Sequence, residues 1–417
     1  MNAYSVIILA ASVIIISSFF NWIGKRTNIP SVLLLILLGI GAQFLAKEFD
    51  ITREELGLGF LLEILGNVGL VFIVLEAALD LKLKRENTGM MIRAFLAATI
   101  GLGLNIFAIG WLFHTIYIGS DWYTSFVFAV PLSILSSAII IPSVGGLIKQ
   151  KKEFMIYEST FSDILGIMVF YFMLGAEGSV SNSSVALDIG INIGATILLS
   201  VVSSVLLVFL IQRMKLEVKL FLVIAILLLL FAVGKTYHLS SLLLILVFGL
   251  LLNNTGVFFK GKIARFYKPE IVSEVLHDLH KLTLESAFVI RTFFFVIFGF
   301  SLQLASLYSW QTAIIGGLIV LILYASRLLT LGTISRKNLF PELWIAPRGL
   351  ITILLFFALE QHPGFVIKGF DIGVLLYPIF ISSVVMTIGL LMSKGRSFGQ
   401  ALKEQIPHLE PSEDTEK

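Results

Sequence analysis

Residues 157–164 read YESTFSDI and place two acidic side chains, Glu158 and Asp163, inside an apolar segment. The surrounding segment, 154–177, is long enough to cross a bilayer as a helix, which takes about 20 residues. An ionisable side chain at that depth is unfavourable unless it is paired or hydrated. These two carboxylates are therefore the first candidates for a functional role.

The rest of the chain has the same apolar character. Of its 417 residues, 57% are hydrophobic and 14% are charged, and the mean hydropathy is +0.97. This composition predicts an all-α polytopic membrane protein with about 13 transmembrane helices. We expect spans near 3–23, 29–46, 60–80, 90–117, 123–148, 154–177, 186–211, 218–236, 239–253, 285–306, 310–333, 345–361 and 372–393. The first lacks a basic region before it and is expected to be a retained helix rather than a signal peptide.

The lysines and arginines fall mainly in alternate loops and in the segment 394–417, which is expected to be a short cytoplasmic tail. By the positive-inside rule, this pattern predicts an inner-membrane protein with its N-terminus outside and its C-terminus in the cytoplasm. The same distribution argues against nucleic-acid binding, because the charges are spread over many short turns. The polar stretch 272–282 is interpreted as a helix lying on the cytoplasmic surface. No cysteine is present, which excludes disulfides and thiolate metal sites, and no cofactor is expected.

Two predicted spans contain helix breakers. Residues 136–142 read SSAIIIP, and residues 346–349 read APRG. We expect the chain to unwind at Pro142 in the first and at Pro347 and Gly349 in the second, because proline lacks the helical N–H donor. Two interrupted spans seven helices apart are typical of inverted-repeat transporters, with spans four to six matching spans eleven to thirteen. The alternative is that each proline merely kinks a packed helix.

The acidic segment also carries hydroxyl groups. Ser159 lies one helical turn before Asp163, and Ser162 directly precedes it. Oxygen ligands of this kind suit a hard monovalent cation, especially if Ser136, Ser137 and the carbonyls of the broken span join them. The alternative for the serines is that they only bond to carbonyls of their own helix.

The buried charges suggest one ion pair and one free acid. The least costly pairing joins Glu158 to Arg348, since a guanidinium stays charged. Asp163 is then the unpaired carboxylate for which a proton and a cation compete. Glu76 and Asp80, near the end of the third span, are interpreted as ordinary helix-end charges, with a cation-attracting funnel as the alternative, and the role of Arg291 is left open.

At these residues the chain resembles the NhaP/NHE-like sodium/proton antiporters of the monovalent cation/proton antiporter superfamily. The stretch ESTFSD at 158–163 resembles their Glu-Ser-x-x-Asn-Asp signature, and WIAPRG at 344–349 resembles their Trp-x-x-x-Arg-Gly motif. Weaker similarities lie at 75–79 and 294–299.

The resemblance implies a homodimer working by elevator-like alternating access within a transmembrane domain spanning 1–393. Its mobile core would comprise about 90–177 and 310–393, and the other helices would form the dimerisation scaffold. It also implies that Asp163 binds the ion or the proton, that Ser159 is an ion ligand, and that Glu158 and Arg348 form a structural pair.

The chain departs from the family pattern at two places. Ser162 stands where this branch has Asn, and the Thr-Asp-Pro of many relatives is replaced by an Ile-Ile-Pro ending at Pro142. The stretch Ser-Ser-Ala-Ile, which begins with Ser136 and Ser137, is more similar to the corresponding stretch of the Kef-type potassium/proton transporters. The preferred cation, Na⁺, K⁺ or Li⁺, therefore stays open.

The sequence thus predicts one-for-one, electroneutral exchange of a monovalent cation for H⁺. The expected physiological role is pH homeostasis. The alternatives are a Kef-like K⁺ efflux pathway, an intramembrane enzyme and a non-transporting sensor with the same fold. No nucleotide-binding Gly-x-Gly-x-x-Gly motif and no His-Glu-x-x-His metalloprotease motif is present, which disfavours the first two.

Overall fold

The computed structural model describes residues 3–27, 31–48, 58–81, 88–175, 184–213, 219–236, 241–258, 269–302, 309–334 and 339–405, with 361 and 363 left out. Throughout these residues the regular structure is helical. The α-helices, in chain order, are α1 (Ala3–Thr27), α2 (Ser31–Glu48), α3 (Leu58–Asp80), α4 (Thr88–Ile116), α5 (Trp122–Ser133), α6 (Ser137–Ser143), α7 (Lys149–Gly175), α8 (Ser184–Arg213), α9 (Lys219–Thr236), α10 (Ser241–Asn253), α11 (Thr255–Phe258), α12 (Pro269–Ser301), α13 (Trp310–Ile334), α14 (Leu350–Glu360) and α15 (Gly373–Gln405).

Within the described residues, seven helical segments are long and apolar enough to cross a membrane, and several shorter apolar helices lie among them. The chain is therefore a multi-pass, all-helical membrane protein. Each of the thirteen predicted spans coincides with a helix or, for 123–148, with a pair of helices. At the C-terminal end, α15 continues as far as Gln405, beyond the predicted start of the tail at 394.

Residues 272–282, which are predicted to be helical, lie within the 33-residue helix α12 that also contains the tenth predicted span. Val272 and Leu279 are almost fully buried, at 1% and 0% exposure. Burial of these apolar side chains against the bundle holds the polar stretch in line with the rest of the helix.

The interruption of the fifth predicted span lies at residues 134–136, between α5 and α6, and not at Pro142. Pro142 is inside α6, which a short 3₁₀ turn at 144–146 follows. Ile134 and Ser136 have extended backbone angles, with ψ of 130° and 104°. The helix stops where partners outside the span take over its backbone hydrogen bonds, and a single missing N–H at proline does not suffice to unwind it.

The second interruption covers residues 345–349, which are non-helical and lead into α14. Pro347 and Gly349 both lie in this segment. It meets the first interruption directly, because the N–H of Ser136 donates to the carbonyl of Pro347 at 3.0 Å. Helices α4, α5, α7, α13, α14 and α15 pack around this crossing, while α2, α3 and α12 form a second tightly packed group.

Candidate cation and proton site

Asp163 lies on α7 beside the first interruption, and its side chain is only 2% exposed. Its Oδ2 accepts a hydrogen bond from the N–H of Ser137 at 3.1 Å, and the Ser137 hydroxyl also faces this carboxylate. Its Oδ1 is buried and has no hydrogen-bond partner. Among the described residues, no arginine, lysine or histidine forms a salt bridge with it. Asp163 therefore has one oxygen free for a ligand and no fixed positive partner.

The backbone N–H groups of the first interruption are held from outside their own helix. The N–H of Leu135 donates to Ser162 Oγ at 2.9 Å, and that of Ser136 donates to the carbonyl of Pro347. With the N–H of Ser137 bound to Asp163, three consecutive donors have partners on α7 or on the second interruption. Unwound backbone is tolerated inside a membrane when protein satisfies its polar groups in this way.

Arg348 holds the carbonyl end of α5. Its Nε donates to the carbonyl of Leu132 at 2.7 Å and its Nη1 to the carbonyl of Ala346 at 3.0 Å. Thr352 adds a hydrogen bond from its hydroxyl to the carbonyl of Pro131 at 2.9 Å. A positive side chain at the C-terminal end of a helix is favourably placed, because unpaired carbonyls give that end partial negative charge.

The two interruptions approach each other closely at Gly349. A Cβ at this position would lie 2.8 Å from Ser136 Oγ and 2.7 Å from Ile139 Cδ1. A larger residue at 349 would therefore force the side chains of Ser136 and Ile139 to shift.

The predicted ion pair between Glu158 and Arg348 is wrong, since Glu158 pairs with Arg327 of α13. The two terminal guanidinium nitrogens, Nη1 and Nη2, each lie 3.1 Å from a Glu158 oxygen, and both side chains are almost fully buried. Arg327 Nε also donates to the carbonyl of Glu342 at 2.8 Å. Arg348 is occupied by the carbonyls of the broken helices, which leaves Arg327 as the partner. The sequence does carry Arg327 late in an apolar span, and that position was the available signal.

The predicted hydroxyl ligands differ in their contacts. Ser159 is fully buried and donates to the carbonyl of Ile156 at 3.2 Å, so its oxygen still has lone pairs to offer. Ser162 is engaged as the acceptor for Leu135. The Ser136 hydroxyl is buried without any hydrogen-bond partner.

Two further side-chain contacts join α3 to α12. Arg291 Nη2 lies 3.3 Å from Glu76 Oε1, and His280 Nε2 lies 2.8 Å from Asp80 Oδ1. The interpretation of Glu76 as an ordinary helix-end charge is wrong, because its carboxylate is largely buried and lies within salt-bridge distance of Arg291. Arg291 supplies the neutralising charge that such a position requires.

A many-helix membrane bundle with two crossed helix breaks around a buried carboxylate defines a class of secondary transporter. The family model described as "Sodium/hydrogen exchanger, transmembrane" matches residues 9–393. The chain therefore belongs to the sodium/hydrogen exchanger family, which is a family of transporters and not of enzymes.

Two solved structures of the sodium proton antiporter MjNhaP1 from Methanocaldococcus jannaschii have a similar fold. The structure at pH 8 is 19% identical, has a TM-score of 0.69, and the match covers 97% of this chain and 99% of that one. The electron-microscopy structure is 20% identical, has a TM-score of 0.66, and the match covers both chains completely. No curated protein sequence matches the chain.

Proposed function

We propose that this protein exchanges a monovalent cation, Na⁺ by preference, for H⁺ at Asp163. The observation that carries the proposal is the state of this carboxylate, which is buried, bound through one oxygen only, and without a positive partner among the described residues. A carboxylate in such surroundings is stabilised when it takes up either a proton or a cation. The two ions then compete for one position.

The exchange is one-for-one and electroneutral in this proposal. Glu158 is neutralised by Arg327 and Glu76 by Arg291, so that Asp163 is the acid left to change its occupant. A site that carries one Na⁺ in one direction and one H⁺ in the other moves no net charge. The measurement is exchange in proteoliposomes whose membrane potential is set with valinomycin, where the rate should not change with voltage. A steady current would refute this stoichiometry.

The wider architecture belongs to the same proposal. The core is formed by about 90–177 and 310–393, and it moves against a scaffold of the remaining helices in an elevator-like cycle. The chain works as a homodimer in the inner membrane, with a cytoplasmic C-terminus as the basic loops indicate. Ser159, Ser136 and the carbonyls of the interruptions supply neutral ligands to the cation.

The direct test replaces Asp163 with Asn. Asp163→Asn should abolish cation-driven proton movement in proteoliposomes and leave a folded protein, because the amide keeps the shape but takes up neither ion. Asp371→Asn is the matched control, since the Asp371 side chain accepts a hydrogen bond from the N–H of Gly373 at 2.8 Å, which an amide oxygen can also accept. Parental exchange by Asp163→Asn would contradict the proposal. Fast K⁺ flux uncoupled from protons would favour the Kef-like alternative.

A further inference from the structure

Thr160 of α7 is buried at 0% exposure, and its hydroxyl has no hydrogen-bond partner. Serine and threonine within apolar helices normally bond to a carbonyl one turn earlier. Ser133, Ser200 and Thr330 do so here, at 2.8, 2.7 and 2.8 Å. The Thr160 hydroxyl departs from this pattern, and a buried polar group without a partner is unfavourable unless something else binds it.

Thr160 lies about one helical turn before the carboxylate that the proposed exchange requires. Thr160 precedes Asp163 by three residues, so their Cβ atoms are neighbours on one helix face, roughly 5–6 Å apart. Asp163 Oδ1 is also without a partner, and so is the hydroxyl of Ser136. Ser136 adjoins Ser137, whose N–H binds the same carboxylate. Three unpartnered oxygens are thus supplied by adjoining segments of α7 and the first interruption.

We propose that the Thr160 hydroxyl is a ligand of the transported cation, together with Asp163 Oδ1 and Ser136 Oγ. This inference rests on the proposed function, since it deepens the description of that site. A neutral hydroxyl adds an oxygen ligand without adding a second negative charge. The site then gains a ligand while its charge stays that of one carboxylate, which is consistent with one-for-one exchange.

In this role, the Thr160 hydroxyl contributes to the binding of Na⁺ and not to the binding of the proton. A bound Na⁺ requires several oxygen ligands, whereas a proton on Asp163 requires only the carboxylate itself. Loss of the hydroxyl should therefore weaken cation binding more than proton binding. Because the proton then competes more effectively, exchange at a fixed Na⁺ concentration should need a higher pH.

The experiment compares Thr160→Val, which removes the hydroxyl at nearly constant volume, with Thr160→Ser, which keeps it. We expect Thr160→Val to raise the KM for Na⁺ about tenfold, to leave kcat nearly unchanged, and to move the acidic limb of the pH profile to higher pH. Thr160→Ser should stay near the parental values. The matched control is Thr330→Val, because the Thr330 hydroxyl is already bound to the carbonyl of Ser326.

A parental KM and pH profile in Thr160→Val would overturn the inference, and so would an equal rise of KM in Thr330→Val. If Thr160→Val does not fold, Thr160→Ala replaces it in the same comparison. The rise in melting temperature on adding Na⁺, measured in detergent, gives a second readout that needs no transport. If the parent binds Na⁺ but does not exchange it, the proposed function fails, and the loss of the Na⁺-induced shift in Thr160→Val still decides the role of Thr160.

Discussion

At the scale of single residues, the buried charges differ in whether an opposite charge neutralises them. Glu158 and Arg327 form a two-point pair at 3.1 Å and 3.1 Å, whereas Arg348 binds carbonyl oxygens. Asp163 has no such partner among the described residues. The charges fixed by salt bridges therefore link the helices of the bundle, and in the proposed exchange the carboxylate without one binds the ions.

The observed salt bridge predicts that Glu158 and Arg327 are coupled in their effects on the free energy of unfolding, and that Glu158 and Arg348 are not. Arg327→Met alone leaves a buried carboxylate unpaired and should lower the free energy of unfolding by roughly 3–5 kcal/mol. The double variant Glu158→Gln with Arg327→Met should lose less than the sum of the two single variants. The measurement is unfolding in detergent for all members of the cycle.

The control cycle uses Arg348→Met in place of Arg327→Met. We expect the effects of Glu158→Gln and Arg348→Met to add within about 0.5 kcal/mol. Strong coupling in this second cycle, and none in the first, would show that the observed pairing is wrong.

At the scale of elements, the close crossing of α2 with α12 depends on glycine. A Cβ at Gly39 would lie 2.1 Å from the carbonyl oxygen of Val296, and a Cβ at Gly299 would lie 2.3 Å from that of Ile36. These atoms belong to backbone and cannot turn aside as a side chain can. Small residues at a helix crossing let the backbones come this close.

Gly39→Ala should therefore destabilise the protein, by about 1–3 kcal/mol, because the two helices must separate to admit the methyl group. Gly41→Ala is the matched control on the same helix, since nothing lies within 4 Å of its added Cβ. That variant should be neutral or slightly stabilising, because alanine favours the helix. Melting temperatures in detergent distinguish the two, and equal values would contradict the crossing.

The helices and their interruptions differ in how far the sequence alone predicts them. Apolar segments locate the helices because span length and hydropathy are local properties, and the acidic stretch on α7 makes Asp163 a candidate for the same reason. The break at 134–136 and the pairing of Arg327 depend on contacts between residues far apart in the chain. Ser162, Pro347 and Asp163 hold the break open, and nothing in the local sequence of α5 records them.

At the scale of the whole molecule, transport requires the site to open. The Asp163 side chain is 2% exposed, so in this conformation the surrounding helices close it off from water. A small apolar cavity lies between α7 and the helices α3 and α10, with Ala77 and Met168 on its two sides. We propose that the core slides against the scaffold along this boundary.

A cross-link across the boundary tests that motion, and the cysteine-free chain makes the experiment direct. A thiol-specific bifunctional reagent joining Ala77→Cys to Met168→Cys should stop exchange, and a cleavable reagent should allow recovery after reduction. The control pair, Ala98→Cys with Leu323→Cys, lies on α4 and α13, which both belong to the proposed core and line one cavity. Linking that pair should leave exchange active. Full exchange with the first pair linked would argue against the domain movement.

The measurement that tests the competition most directly is proton release when Na⁺ binds to the purified protein. In weakly buffered detergent solution containing a pH indicator, we predict that saturating Na⁺ releases about one proton per chain at a pH where the site is protonated. The release should fade at high pH, where the proton has already left, and it should be absent from Asp163→Asn. Na⁺ binding without proton release, or an equal release from Asp163→Asn, would contradict the claim that both ions share this carboxylate.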